Sequence, residues 1–169
     1  MSRMGKSFLV VLVFACAALM ASTFAQVVIN EIHYNPLGTD GTVLLEFIEL
    51  HNRGASAADI SNWRLTFGTL PYVFPAAVSI PAGGYVVVAE DPASLQATTG
   101  FVTPYTWTGL GVGLSNGGEL ITLQDAAQVE QDSVLYDDVG PWPAGSGPGQ
   151  PDDGGSSIEL LNPALDNSN

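Results

Sequence analysis

From residue 26 onward the apolar residues fall in short runs rich in Val, Ile, Tyr and Phe, broken by Gly, Pro, Asn and Asp. Helical periodicity is nearly absent, and such runs between turn formers are the pattern of strands. The pattern predicts strands over Val27–Tyr34, Glu46–Asn52, Trp63–Phe67, Tyr72–Phe74, Tyr85–Ala89, Glu119–Gln124, Val129–Tyr136 and Ser157–Leu160. In Glu46–Asn52 one alternating set is Glu46, Ile48, Leu50 and the other Phe47, Glu49, His51. Both mix apolar and acidic members, so the pattern leaves the buried face open. Tyr85–Ala89 is apolar on both faces, which places it inside a sheet. Trp63 alternates with Leu65 and Phe67 and is expected in the core.

Turns are expected at Pro81–Gly84 and Ser115–Gly118, where Gly and Asn tolerate positive φ. One short helix is expected: Asp91 caps it, Pro92 suits its first position, and Gly100 closes it in the left-handed conformation. Pro141 to Gly155, rich in Gly and Pro, reads as a long irregular loop. There is no internal repeat. Short strands at this spacing predict a single all-β domain, a β-sandwich.

The N-terminus has a different character. Arg3 and Lys6 precede an apolar run from Phe8 to Met20, and small residues lead to Ala25. This order is that of a secretory signal, predicting a leader over residues 1–25 and a mature chain from Gln26. The run is shorter than the roughly 20 apolar residues of a membrane-spanning helix. A lipoprotein signal ending at Cys16 is disfavoured by bulky Phe14 and by the apolar chain that follows. Cleavage would leave 144 residues and remove Cys16, the single cysteine, so no disulfide is expected. It also leaves Arg53 and Arg64 against 17 carboxylates, a net charge of −15. Such a chain repels nucleic acid and anionic lipid, whose binding needs Lys and Arg.

Candidate chemistry is sparse. Gly113-Leu114-Ser115-Asn116-Gly117 fits the nucleophile-elbow pattern, but that motif needs a helix after the serine, and a strand is predicted there. Both histidines also precede the serine. His33 and His51, with Glu31 and Glu49, lie on the first two predicted strands, without the close spacing of zinc ligands. Asn35 to Glu46 superficially resembles a calcium loop, but Pro36 stands where the first ligand belongs. Asp137, Asp138, Asp152 and Asp153 remain as loop oxygens for calcium; otherwise no cofactor is expected. Pro148-Gly149-Gln150-Pro151 matches P-x-x-P only because the segment is rich in Pro and Gly. Trp107 and Trp142 sit in loop-like contexts, where packing is the first expectation for each; they are also the aromatic candidates for ligand binding, by stacking on a sugar.

Several segments carry a family likeness when taken in order. They are Ile29-Asn30-Glu31-Ile32, Glu46-Phe47-Ile48-Glu49-Leu50-His51-Asn52, Ile60-Ser61-Asn62-Trp63, Phe74-Pro75 and Pro81-Ala82-Gly83-Gly84-Tyr85-Val86-Val87. Later come Leu114-Ser115-Asn116-Gly117-Gly118-Glu119, Tyr136-Asp137-Asp138, Pro141-Trp142-Pro143 and Ser157-Ile158-Glu159-Leu160. Together they resemble a bacterial lamin tail domain. The resemblance implies an immunoglobulin-like sandwich and a non-catalytic module of secreted and surface proteins, with no ligand residues to carry over. Asn62 replaces the family's usual Gly before the tryptophan, a substitution Asn tolerates because it also visits positive φ. Similar domains continue past Asp166-Asn167-Ser168 with a tryptophan and a Gly-Thr-Pro-Gly ending, so residues 26–169 are expected to lack the C-terminal end of the domain.

The expected function is therefore a secreted or cell-surface interaction or targeting module, the N-terminal part of a larger extracellular protein. Its partner would be a protein or glycan at the cell exterior, with no nucleic acid and no membrane insertion after cleavage. The alternatives are a carbohydrate-binding module using Trp107 and Trp142, or an accessory domain of a secreted hydrolase whose catalytic part lies beyond residue 169.

Overall fold

A computed structural model describes residues 26–39, 41–110, 112–140, 142, 150–152 and 154–160. The expected leader (1–25), Asp153 and most of the Pro/Gly-rich loop lie outside the described residues, as does the C-terminal segment (161–169) on which the expectation of a missing end falls. Eleven strands and one helix form among the described residues. They are β1 (Val27–His33), β2 (Phe47–Asn52), β3 (Ala58–Asp59), β4 (Arg64–Phe67), β5 (Leu70–Val73) and β6 (Ser79–Ile80). Then follow β7 (Tyr85–Ala89), α1 (Pro92–Thr99), β8 (Tyr105–Thr106), β9 (Glu119–Gln124), β10 (Glu130–Tyr136) and β11 (Ile158–Glu159).

A five-stranded sheet in the order β11-β1-β2-β7-β8 faces a four-stranded sheet in the order β10-β9-β4-β5, and β3 and β6 form a small third pair. All pairings are antiparallel except β7 with β8, which helix α1 joins by a crossover. Between the two sheets lies the core: Ile29, Ile32, Ile48, Leu50 and Val88 from one, Leu65, Phe67, Ile121, Leu123 and Val134 from the other. Tyr34, Tyr136 and Trp107 also belong to it.

Two bulges set which residues face inward. Ile29 and Ile32 are both buried although three apart, which strict alternation forbids. A register shift between Ile29 and Glu31 adds the extra residue and restores both to the core. A second shift, between Glu130 and Asp132, breaks the alternation in β10, leaving Glu130 exposed while Asp132, Val134 and Tyr136 are buried. In β2 the ambiguity of the pattern is resolved by burial: Ile48, Leu50 and Asn52 point inward, and Phe47, Glu49 and His51 outward.

Local signals act as expected. Asp91 accepts the N–H groups of Ala93 and Ser94 at 2.8 and 3.2 Å, Pro92 opens α1, and Gly100 closes it with φ 77°. Asn62 adopts φ 62°, the left-handed conformation its replacement of glycine requires. Gly118 has φ 89°, and a Cβ there would lie 2.5 Å from the Tyr136 carbonyl oxygen, so only glycine fits. Ser115–Gly118 is a turn leading into β9, and the nucleophile-elbow geometry is not formed.

One tryptophan expectation is corrected, and a second tryptophan takes the packing role expected of it. Trp63 is only partly buried, at the rim of the core, because it lies just before β4 in the turn where the Ile60 carbonyl accepts its N–H. Trp107 is 1% exposed, packed edge-on against Phe67 at 5.0 Å, because the short strand β8 delivers it to the core.

Candidate binding site on the outer face of the five-stranded sheet

The outward residues of β1, β2 and β11 share one face. Glu31 stands directly opposite Glu49 on one side and Glu159 on the other. Three carboxylates abreast repel one another, and like charges in this position destabilise a sheet. Ser157 Oγ donates to Glu31 Oε1. Asn30 Nδ2 donates to Glu49 Oε1 at 2.8 Å. Burial raises the Glu49 carboxyl above its ordinary value, the charges of Glu31 and Glu159 add to this, and the Asn30 bond opposes it.

Helix α1 covers one end of the face, where Leu95 packs with Val87 and Ala89 and with partly buried Phe47. At the other end His51 stacks on Tyr85, ring centroids 4.4 Å apart and 13° from parallel. Tyr85 remains 53% exposed. Burial holds the His51 imidazole below its ordinary pKa, and Arg53 adds to the effect.

Beside the helix end of this face is a cavity of about 620 Å³, within the size range of small-ligand sites. Glu31, His33 and Ser157 line it, with an apolar wall of Leu37, Leu45, Phe47 and Leu95. His33 is 9% exposed. Its Nδ1 lies 3.0 Å from the Leu45 carbonyl oxygen, which can only accept, so Nδ1 carries the proton of the neutral ring. Nε2 is then an acceptor, buried and without a donor, because the neighbouring Gly155 carbonyl can only accept. Burial lowers the His33 pKa, against smaller opposing effects from Leu45, Glu31 and the Gly155 carbonyl.

The residues singled out in the sequence are mostly kept apart. His33 and His51 do lie on neighbouring strands, but His33 pairs with Phe47 and His51 with Val28, at opposite ends. Asp152 accepts from Asn35 Nδ2 at 2.7 Å, and Asp137 accepts the Val139 N–H at 3.1 Å. A hydrogen bond with Asp137 raises the Asp138 carboxyl above its ordinary value. Among the described residues no group of three or more His, Cys, Asp or Glu side chains is arranged to hold a metal ion. Trp107 lines a second cavity of about 520 Å³ with Glu46 and Glu90, and its buried Nε1–H has no partner. At 1% exposure it has no ring face to offer a sugar. Trp142 is partly buried against the core. Leu37, Leu45, Leu95, Ser157 and Glu159 were not anticipated as site residues; no motif marks them, since only the fold gathers them.

The sequence profile of the lamin tail domain family matches residues 20–138. The chain belongs to this family. Its two facing sheets are the immunoglobulin-like sandwich of a lamin tail domain, with one short helix. No curated protein matches the sequence. In this lamin tail domain, no helix among the described residues is long and apolar enough to cross a membrane.

Proposed function

We propose that this lamin tail domain is an exported, non-catalytic interaction module that receives a cationic protein partner on the outer face of its five-stranded sheet. The observation that carries this reading is the register of Glu159, Glu31 and Glu49. Side chains that repel one another in the free protein are relieved when a cation arrives between them, so the arrangement favours a positively charged occupant. The leader-like order of residues 1–25 supports export. With Arg53 and Arg64 as its basic residues from position 26 onward, the module has little to offer a nucleic acid.

A peptide-display selection against the immobilised domain tests this. Lys- and Arg-bearing peptides should be enriched, and the enrichment should vanish when Glu31, Glu49 and Glu159 are all changed to Gln. Glycan-array binding without peptide enrichment would instead favour the carbohydrate-binding alternative.

A further inference from the structure

Among the described residues that line the larger cavity none carries a fixed positive charge, and the one carboxylate is that of Glu31. The Glu31 carboxylate and His33 Nε2 are acceptors, Ser157 Oγ already donates to Glu31, Thr99 Oγ1 donates to the Leu95 carbonyl, and no Lys or Arg lines the space among the described residues. A buried acceptor without a donor is destabilising, so an occupant that brings an N–H relieves a standing deficit. An anion would meet a carboxylate with no counter-charge, whereas a primary ammonium brings three donors and the opposite charge. The apolar wall of Leu37, Leu45, Phe47 and Leu95 calls for more than a bare cation. Such a wall fits the methylene stem that long amines lay along apolar surface while their charged head seeks a polar partner.

We propose that this cavity is a binding site for a primary ammonium on an apolar stem, the ammonium held between Glu31 and His33 Nε2 and the stem lying on the leucines and Phe47. The proposal rests on the reading of this face as a receiver of cations and names the group received. The same chemistry belongs to a lysine side chain and to a free alkylamine. Nε2 is covered in the free protein, so the ammonium enters by displacing the rim beside Gly154 and Gly155.

The test is an NMR titration of the chain, followed at the His33 imidazole nitrogens and at the amides of Leu45, Phe47 and Gly155. The probes are n-butylamine, a lysine capped at both backbone ends, and n-butanol. Butylamine should shift these signals with a dissociation constant roughly in the millimolar range for so small a ligand, and butanol should bind at least about tenfold more weakly. Capped lysine binding like butylamine supports a protein side chain as the source; butylamine binding alone supports a free amine. Glu31→Gln, outside the core, should weaken butylamine about tenfold by removing a charged hydrogen bond. Equal binding of butanol and butylamine, no response at His33, or an unchanged Glu31→Gln affinity would each overturn the proposal. If butylamine fails while basic peptides are still enriched through Glu49 and Glu159, only this inference falls and the wider reading stands.

Discussion

The backbone N–H of Ile29 donates to the Asp132 carboxylate at 2.7 Å, tying β1 to β10 across the edge of the sandwich. Strand β11 pairs with β1 only at Glu31 and Ile32, so the β1 edge beyond them needs another acceptor. The bulges in β1 and β10 flank this bond. Asp132 is 8% exposed, a buried carboxylate retained where a hydrophobic residue would leave that N–H without it. Asp132→Ala should cost about 2–3 kcal/mol, the range for deleting one partner of a buried charged hydrogen bond. Asp132→Asn, which keeps an acceptor, should cost less. Denaturant unfolding measures both; a loss below about 0.5 kcal/mol for Asp132→Ala would show that the bond does not tie the sheets.

Asn52 is a second buried anchor, with 0% exposure. Its Nδ2 donates to the carbonyls of Ser56 and Ile80 at 2.8 Å and of Pro81 at 3.0 Å, while Oδ1 accepts the Gly54 N–H at 2.9 Å. One amide thus fixes the loop after β2 and the turn before β7. Asn52→Ala should destabilise by about 3 kcal/mol or more, because several buried backbone groups lose their partner at once. Asn52→Asp should rescue little, since a carboxylate supplies no donor to those carbonyls. Thermal unfolding of the two variants side by side checks this.

The two tryptophans make a paired prediction. Trp107→Ala should cost about 3–5 kcal/mol, the usual range for a fully buried large aromatic. Trp63→Ala, at the rim, should cost well under that. Denaturant unfolding that ranks the two the other way would contradict the placement of Trp107 in the core.

Much of this fold is legible in the sequence because its local rules agree with its global one. The Asp91-Pro92 start and Gly100 stop mark α1, and β-branched runs mark the long strands. Strands β3, β6 and β8 have two residues each, too few to display a period, and only tertiary pairing reveals them. The packing expected of Trp107 rests on its residue type, since the two-residue strand β8 that precedes it leaves no pattern. The site was harder still. Glu31 and His33 stood out by residue type, but their joint cavity needs Leu37, Leu45, Leu95 and Ser157 from four other parts of the chain. Nothing short of register places Glu159 beside Glu31.

Glu49 should make stability depend on pH in a defined direction. Its folded-state pKa lies above the ordinary 4.5, chiefly through burial and then through Glu31 and Glu159. The native state therefore favours the protonated form. That contribution is fully present below pH 4.5 and is lost as the pH rises through the folded-state value. Glu49→Gln keeps an acceptor for Asn30 and stays neutral, so it should raise the melting temperature at pH 7 by about 1–3 °C. The gain should disappear below pH 4.5. Melting curves of both proteins across pH 4 to 8 decide the matter, and a pH-independent gain would assign the effect to packing instead.

The most direct test of the account is amide shift mapping with a short capped peptide containing lysines, at about 0.15 M salt, where exposed charges are screened beyond about 8 Å. The shifts should gather on the outer face of β11, β1 and β2, at Glu159, Glu31, His33, Phe47 and Glu49. They should be lost when the three glutamates are changed to Gln. Shifts spread evenly over both sheets, or centred on β9 and β10, would mean that net charge alone attracts the peptide and that this face is not a binding surface.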